Sequence, residues 1–294
     1  MNNMASPISI KIKSLELRGL AWGDPKNEPV LALHGWLDNA ASFNKLAPLL
    51  EHKYVVAIDL PGHGQSDHWP DKQHYHLWEG VEHIELIADQ LNFSRFHLVG
   101  HSMGAAMATL YAGTFPGRLK SFTAIEAFGP MAGEPKSAPE RLANAITTMK
   151  RYDKSQSQRP KVDPQAFIQA RMQGPMALTE EAASMLVERG AKKTEDGWVW
   201  SHDKRLQITS MMRLSESLIG EFIKSINAPV LGLFAHHGLY TDKALENRWQ
   251  LLQSPKTLQW FSGGHHFHMQ ETVEDIATAM NEFYNKLNEE NKNG

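Results

Sequence analysis

One short segment, residues 98–113 (LVGHSMGAAMATLYAG), constrains the fold of this chain most strongly. An apolar run ends at Gly100, and Gly-His-Ser-Met-Gly then leads into a run of small residues with a helical pattern. Glycines on both sides of the serine let a sharp, strained turn fit between a strand and a helix. Because such a turn presents its central side chain, Ser102 is predicted to be a nucleophile rather than a helix-capping residue. The Met103 N–H at the helix start is the expected donor to a developing oxyanion.

Strand-like and helix-like segments alternate through the rest of the first half. Short apolar runs at 29–34 and 54–60 end in glycine-rich turns, as buried parallel strands do. This alternation predicts a parallel, doubly wound α/β sheet. The pattern stops after residue 128 and resumes near residue 227. We therefore expect a core formed by 1–128 and 227–294, with 129–226 as a helical cap over the carboxyl edge of the sheet, where such folds bind ligands.

The composition narrows the functional classes. The 294 residues carry a formal net charge of −3 with both signs interspersed, which indicates neither nucleic acid nor an anionic membrane as a partner. The absence of cysteine excludes disulfides and thiolate catalysis. The first residues lack the apolar core of about 7–15 residues of a signal peptide, and no apolar run reaches the ~20 residues that span a bilayer. A cytoplasmic protein is expected, and the sequence does not indicate its oligomeric state.

A second loop predicts the other half of an oxyanion site. Residues 34–36 (HGW) follow the buried strand at 29–33, and the backbone N–H of Trp36 is the expected second donor beside that of Met103. His34 is interpreted as a structural residue that holds this loop by a hydrogen bond. Trp36 is expected to lie near the substrate because it belongs to this oxyanion loop.

Four motifs in order along the chain resemble the α/β-hydrolase superfamily: HGW at 34–36, DLPGHGQS at 59–66, GHSMG at 100–104 and GGHHFH at 263–268. Two longer stretches, LHGWLDNAASFNKLAPLL and DKRLQITSMMRLSE, resemble its serine hydrolase-like (Kraken-type) branch. The resemblance implies a mostly parallel, eight-stranded sheet flanked by helices, with a helical cap insertion. It also implies a Ser–acid–His hydrolase, usually an esterase, that uses no metal and no cofactor.

The resemblance places the catalytic base at His265, directly after Gly263-Gly264. A base on that loop, at the carboxyl edge of the sheet, would be able to reach Ser102. His266 and His268 are competing candidates, although His266 would point the opposite way in an extended segment and His268 lies nearer the final helix. A metal site formed by these histidines is not expected, because adjacent residues rarely converge on one ion and no His-Glu-x-x-His motif accompanies them.

The acid is the ambiguous member of the site. Most α/β-hydrolases carry an Asp after the strand that corresponds to 229–235, where this chain has His236-His237-Gly238. Asp242, the nearest acid downstream, is well explained as a helix N-cap. Glu126 closes the apolar strand after the nucleophile helix, where an unpaired charge is costly to bury, and some branches of the superfamily carry their acid there. Glu126 is the predicted acid, and pairing with an arginine or with backbone donors in the cap hinge is its alternative role.

A serine nucleophile limits the reactions that the chain is expected to catalyse. Serine forms an acyl-enzyme from an ester, thioester or amide, after which the base activates water. A carboxylesterase acting on a small-molecule ester is the first expectation. Thioester and carbon–carbon bond hydrolysis use the same residues and stay open, and a non-catalytic binding protein of this fold is a further alternative.

Overall fold

The computed structural model describes residues 4–70, 73–152, 160–174, 176–240 and 242–293. Its strands are β1 (Ser6–Ile12), β2 (Leu15–Trp22), β3 (Glu28–Leu33), β4 (Lys53–Ile58), β5 (Phe96–His101), β6 (Leu119–Ile125), β7 (Ala191–Thr194), β8 (Gly197–Trp200), β9 (Val230–His237) and β10 (Lys256–Gly264). Eight of them form one sheet in the order β1-β2-β4-β3-β5-β6-β9-β10, and β7 and β8 form a separate hairpin. The six strands from β4 to β10 in that order pair in parallel, whereas β1–β2 and β2–β4 are antiparallel. The predicted α/β fold, with its mostly parallel eight-stranded sheet, is confirmed.

Both faces of the sheet are covered, which explains why its strands read as continuous apolar runs rather than as alternating ones. Along β3, Leu31 and Leu33 belong to one buried cluster, and Val30 and Ala32 belong to another. Successive side chains of a strand point to opposite faces, so the two clusters are the cores on the two sides of the sheet.

Helices flank the sheet on each side. One face carries α1, α2, α6 and α7, whose apolar side chains pack into the first cluster, and the other face carries α8. The helices are α1 (Glu79–Gln90), α2 (Met103–Thr114), α3 (Ala138–Arg151), α4 (Gln165–Arg171), α5 (Glu180–Gly190), α6 (Glu216–Lys224), α7 (Asp242–Leu251) and α8 (Val273–Asn293). Within the described ranges, none of these helices combines the length and the apolar character needed to cross a membrane.

The segment 129–226, expected to be a helical cap, differs in two respects from a purely helical insertion. It holds the hairpin β7–β8 between α5 and α6, and that hairpin was not predicted. Ile219 and Ile223 of α6 pack into the same buried cluster as α1 and α2, on one face of the sheet. The boundaries at 128/129 and 226/227 stay a prediction.

Candidate active site

Ser102 lies on a strained turn between β5 and α2. Its backbone has φ 52° and ψ −114°, a conformation that costs on the order of 1–3 kcal/mol for a residue other than glycine. The turn is held because the Ser102 N–H donates to the carbonyl of Ile125 at 2.9 Å. A Cβ at Gly100 would lie 2.5 Å from the Ala105 nitrogen, and a Cβ at Gly104 would lie 2.2 Å from the Leu33 oxygen. Both flanking glycines are therefore required by the packing of the turn.

A continuous hydrogen-bonded chain joins Ser102, His265 and Glu126. The Ser102 hydroxyl donates to His265 Nε2 over 2.9 Å, and His265 Nδ1–H donates to Glu126 Oε2 over 3.0 Å. His265 and Glu126 are buried, whereas Ser102 is partly exposed. Because a carboxylate only accepts, Glu126 fixes the proton on Nδ1 and leaves Nε2 free to take the serine proton. The structure thus brings together the three residues that the sequence analysis proposed for this role.

Glu126 reaches the site from the end of β6 and is held there by the end of β9 and the loop that follows it. Its φ of 56° turns the chain sharply. Its Oε1 accepts the Ala235 N–H at 2.7 Å, and its Oε2 also accepts the Leu239 N–H at 3.2 Å. A Cβ on Gly238 would lie 2.1 Å from Oε2, so only glycine fits against this carboxylate. The loop that carries the acid in most members of this fold here supplies donors to Glu126 instead.

The alternative residues of the sequence analysis have other partners or lie elsewhere. His266 Nε2–H donates to Asp38 Oδ2 over 3.1 Å, and His268 Nε2 shares a hydrogen bond of 2.9 Å with the Ser42 hydroxyl. Helix α7 begins at Asp242, and the side chain of that residue lies outside the part of the chain that the structure describes.

The predicted oxyanion donors flank the nucleophile turn. Met103 is the first residue of α2, a position whose N–H has no partner within the helix. The loop that contains Trp36 lies against the turn, since a Cβ on Gly35 would be 2.9 Å from His101 Nδ1. The indole Nε1–H of Trp36 donates to the carbonyl of Leu206 at 3.0 Å, and this ties the loop to the 129–226 segment.

His34 has a structural role in the same loop. Its Nδ1–H donates to the Gly35 carbonyl at 2.8 Å, and its Nε2 accepts the Leu60 N–H at 3.0 Å. Burial lowers the pKa of His34 below its ordinary value, so the ring is neutral and can accept at Nε2.

Among the described residues, one group has the donor atoms and spacing that a metal ion would require. Asp38, His101 and His266 are buried and offer ligand atoms within 4.8 Å of one another. Arg171 already pairs with the Asp38 carboxylate, so its charge is matched without an ion. We therefore regard the group as a hydrogen-bonded network, and the absence of a metal from the active enzyme stays a prediction. Asp38, His101 and Arg171 were not predicted as functional residues, because nothing in the sequence shows that they meet.

Comparisons with known proteins show the family and the fold of this chain. A family model described as alpha/beta hydrolase fold matches residues 28–272. A serine hydrolase-like protein of Danio rerio is 28% identical over 293 residues, covering 96% of this chain and 89% of that protein. A hypothetical protein of Pseudomonas aeruginosa PAO1, solved by crystallography, superposes with a TM-score of 0.84 at 33% identity over 95% of this chain and 97% of its own. The thioesterase domain from the curacin biosynthetic pathway superposes with a TM-score of 0.81 at 25% identity, over 96% of this chain and 99% of its own.

Proposed function

The chain belongs to the alpha/beta hydrolase fold family and is a serine hydrolase, and from this premise we propose that it is a carboxylesterase. It cleaves short- to medium-chain carboxylic esters through an acyl-enzyme on Ser102, and it uses no cofactor. The observation that carries the proposal is the chain of hydrogen bonds from the partly exposed Ser102 through His265 to the buried Glu126. A nucleophile, its base and the acid that orients the base are the parts that acyl transfer needs.

The first half of the reaction forms the acyl-enzyme. Ser102 Oγ attacks the ester carbonyl carbon while its proton moves to His265 Nε2, and the negative charge of Glu126 stabilises the imidazolium that results. The carbonyl oxygen becomes an oxyanion, which accepts hydrogen bonds from the backbone N–H groups of Trp36 and Met103. Loss of one such donor typically raises the barrier by about 3–4 kcal/mol.

The tetrahedral intermediate collapses to the acyl-enzyme as His265 gives its proton to the departing alkoxide, so that a neutral alcohol leaves. The second half of the reaction returns the free enzyme. A water molecule then takes the place of the alcohol, loses a proton to His265 and attacks the acyl carbonyl. The carboxylic acid departs as Ser102 recovers its proton, so the charge on Glu126 is unchanged over the cycle.

A thioesterase is the second candidate, and one observation favours it. The superposition on the curacin thioesterase domain extends over 96% of this chain. Thioesters and oxygen esters form the same acyl-enzyme, so the proposed residues serve either substrate. A thiolate is a better leaving group than an alkoxide and needs less protonation by His265. Because the catalytic residues serve both substrates, the preference for one of them depends on how the pocket binds it.

Paired substrates that share an acyl group test the proposal. The parent and Ser102→Ala are assayed with p-nitrophenyl esters from acetate to a long acyl chain and with thioesters of the same acids. The proposal expects the highest kcat/KM on a short or medium oxygen ester, and loss of that activity in Ser102→Ala. A higher kcat/KM on every thioester of the series would make the thioesterase the function. Turnover of neither class by the parent would overturn both candidates.

A further inference from the structure

A buried ionic network lies beside His265, and none of the steps proposed above uses it. We define the Asp38 network as Asp38, Arg171, His101 and His266. Asp38, His101 and His266 are almost fully buried, and Arg171 is partly exposed at the end of α4. The network therefore joins the 129–226 segment to the two loops that flank the nucleophile turn.

Asp38 is the centre of the network and is ionised. Its Oδ1 accepts from Arg171 Nη2, and its Oδ2 accepts from His266 Nε2–H at 3.1 Å. Burial by itself would raise the pKa of Asp38, but His266 and Arg171 outweigh burial and hold that pKa well below its ordinary value. A buried carboxylate with a donor on each oxygen has one preferred orientation. Asp38 therefore fixes the position of the His266 ring.

One contact carries this rigidity to the backbone of His265, and a second contact, which is not bonded to Asp38, holds the same stretch of backbone. His266 is the next residue in the chain, and its ring is anchored on Asp38. On the other side, His101 Nε2–H donates to the main-chain carbonyl of His265 at 2.9 Å. Burial lowers the pKa of His101 well below its ordinary value, so its ring is neutral, with the proton on Nε2 and an unprotonated Nδ1 3.8 Å from Asp38 Oδ2. The carbonyl of His265 and the ring of His266 are thus both held by hydrogen bonds.

We propose that Asp38 is a positioning residue for His265, and that Arg171 makes the alignment of this base depend on the docking of α4. The proposal rests on the proposed function, because the residue being positioned is the base of that reaction. Without Arg171, the buried carboxylate loses its cationic partner, and it must find new donors, take up a proton or expose itself to water. Each of these changes disturbs the bond to His266, and with it the imidazole that accepts the Ser102 proton.

The chain contains a matched control for this idea. Arg189 of α5 also reaches from the 129–226 segment to a buried core carboxylate, and its Nε lies 2.9 Å from both oxygens of Asp59. Asp59 further accepts the Ala40 N–H at 2.7 Å and the Gln65 N–H at 2.8 Å. The hydrogen bonds described for Asp59 and Arg189 do not include His101, His265 or His266. Removing Arg189 therefore breaks a second ion pair between the same two parts of the chain and leaves the Asp38 network intact.

The experiment compares Arg171→Gln, Arg171→Lys and Arg189→Gln with the parent. For each protein we measure the thermal midpoint, kcat and KM on p-nitrophenyl acetate, and the rate at which a fluorophosphonate labels Ser102. In Arg171→Gln we expect kcat and the labelling rate to fall about 10–100-fold, the range that a small misplacement of a catalytic group produces, with KM within about threefold. Arg171→Lys should recover part of kcat, since a cation again faces Asp38. Arg189→Gln should lower the thermal midpoint and keep kcat within about threefold of the parent.

Two results would overturn the proposal. One is an Arg171→Gln variant with parental kcat, and the other is an equal fall of kcat in Arg189→Gln, which would mean that any loosening of the 129–226 segment has this effect.

A readout without turnover separates failure of the inference from failure of the proposed function. The proton on His265 Nδ1 should give a far-downfield NMR signal in the parent, and Arg171→Gln should shift or broaden it while Arg189→Gln leaves it in place. If the parent hydrolyses no ester yet shows this NMR pattern, the proposed function fails and the positioning by the network stands.

Discussion

Replacing Glu126 by Gln exchanges one carboxylate oxygen for an NH₂ group at a point where both oxygens accept N–H donors. If the NH₂ group takes the place of Oε1, it faces the Ala235 N–H across 2.7 Å, and a backbone donor cannot become an acceptor. If it takes the place of Oε2, it faces His265 Nδ1 across 3.0 Å and the Leu239 N–H across 3.2 Å. His265 can adapt to the second arrangement by moving its own proton to Nε2, so this arrangement is favoured.

The consequence for catalysis follows from that proton. With the proton on Nε2, His265 cannot accept the proton of Ser102, and the opposite tautomer must be reached before each attack. The same exchange of acid for amide in a Ser–His–Asp triad lowers kcat by about 10⁴-fold, which corresponds to about 5 kcal/mol of barrier. We expect a loss of this size in Glu126→Gln, with KM little changed because Glu126 does not contact the substrate.

The assay measures kcat and KM on p-nitrophenyl acetate for the parent, Glu126→Gln and Asp242→Asn. The second variant removes the other acid that the sequence analysis considered, and it should retain parental kcat. Circular dichroism and thermal midpoints confirm that each variant is folded at the assay temperature. A Glu126→Gln variant with kcat within tenfold of the parent would refute the reasoning, and so would a large loss confined to Asp242→Asn.

Three further predictions follow from other parts of the structure. Ser102→Ala should lower kcat by about 10⁶-fold if the three residues act as a unit. Substantial activity of the purified variant would contradict the assignment of Ser102 as the nucleophile. Gly104→Ala places a Cβ 2.2 Å from the Leu33 oxygen and should lower the free energy of unfolding by about 1–3 kcal/mol or more. Gly117→Ala is the control, because its Cβ meets nothing within 4 Å, and equal thermal midpoints for the two variants would contradict the prediction. Burial lowers the pKa of His83 and of His202 to about 4 from 6.5, so the unfolded chain binds more protons between these values. Stability should therefore fall as the pH drops from about 6.5 to about 4, by up to about 3 kcal/mol for each group, and urea midpoints that stay constant over this range would disprove it.

The parts of the site that carry a local sequence signal were predictable. Five consecutive residues, 100–104, specify the nucleophile turn. Its two glycines are needed because a Cβ at either position would clash with Ala105 or Leu33. The role of Glu126 could be inferred because a charge at the end of a buried strand needs partners, and the end of β9 and the loop that follows it supply them.

Distant contacts between residues that carry no local sequence signal were not predictable. Asp38 and Arg171 are separated by 133 residues, and neither belongs to a pattern that indicates the other. The hairpin β7–β8 was missed for a different reason. Its first strand, Ala191–Thr194, is mostly exposed and polar, so it lacks the apolar signal by which strands are recognised.

Trapping the acyl-enzyme is the most direct test of the account. The parent is mixed with p-nitrophenyl acetate, quenched in acid before the steady state, digested and analysed by peptide mass spectrometry, with Ser102→Ala treated in parallel. The account predicts a burst of p-nitrophenol close to one equivalent per enzyme if deacylation is slow, and an acetyl group on Ser102 of the parent alone. Acetylation of another residue, or turnover by the parent with Ser102 never acylated, would contradict it.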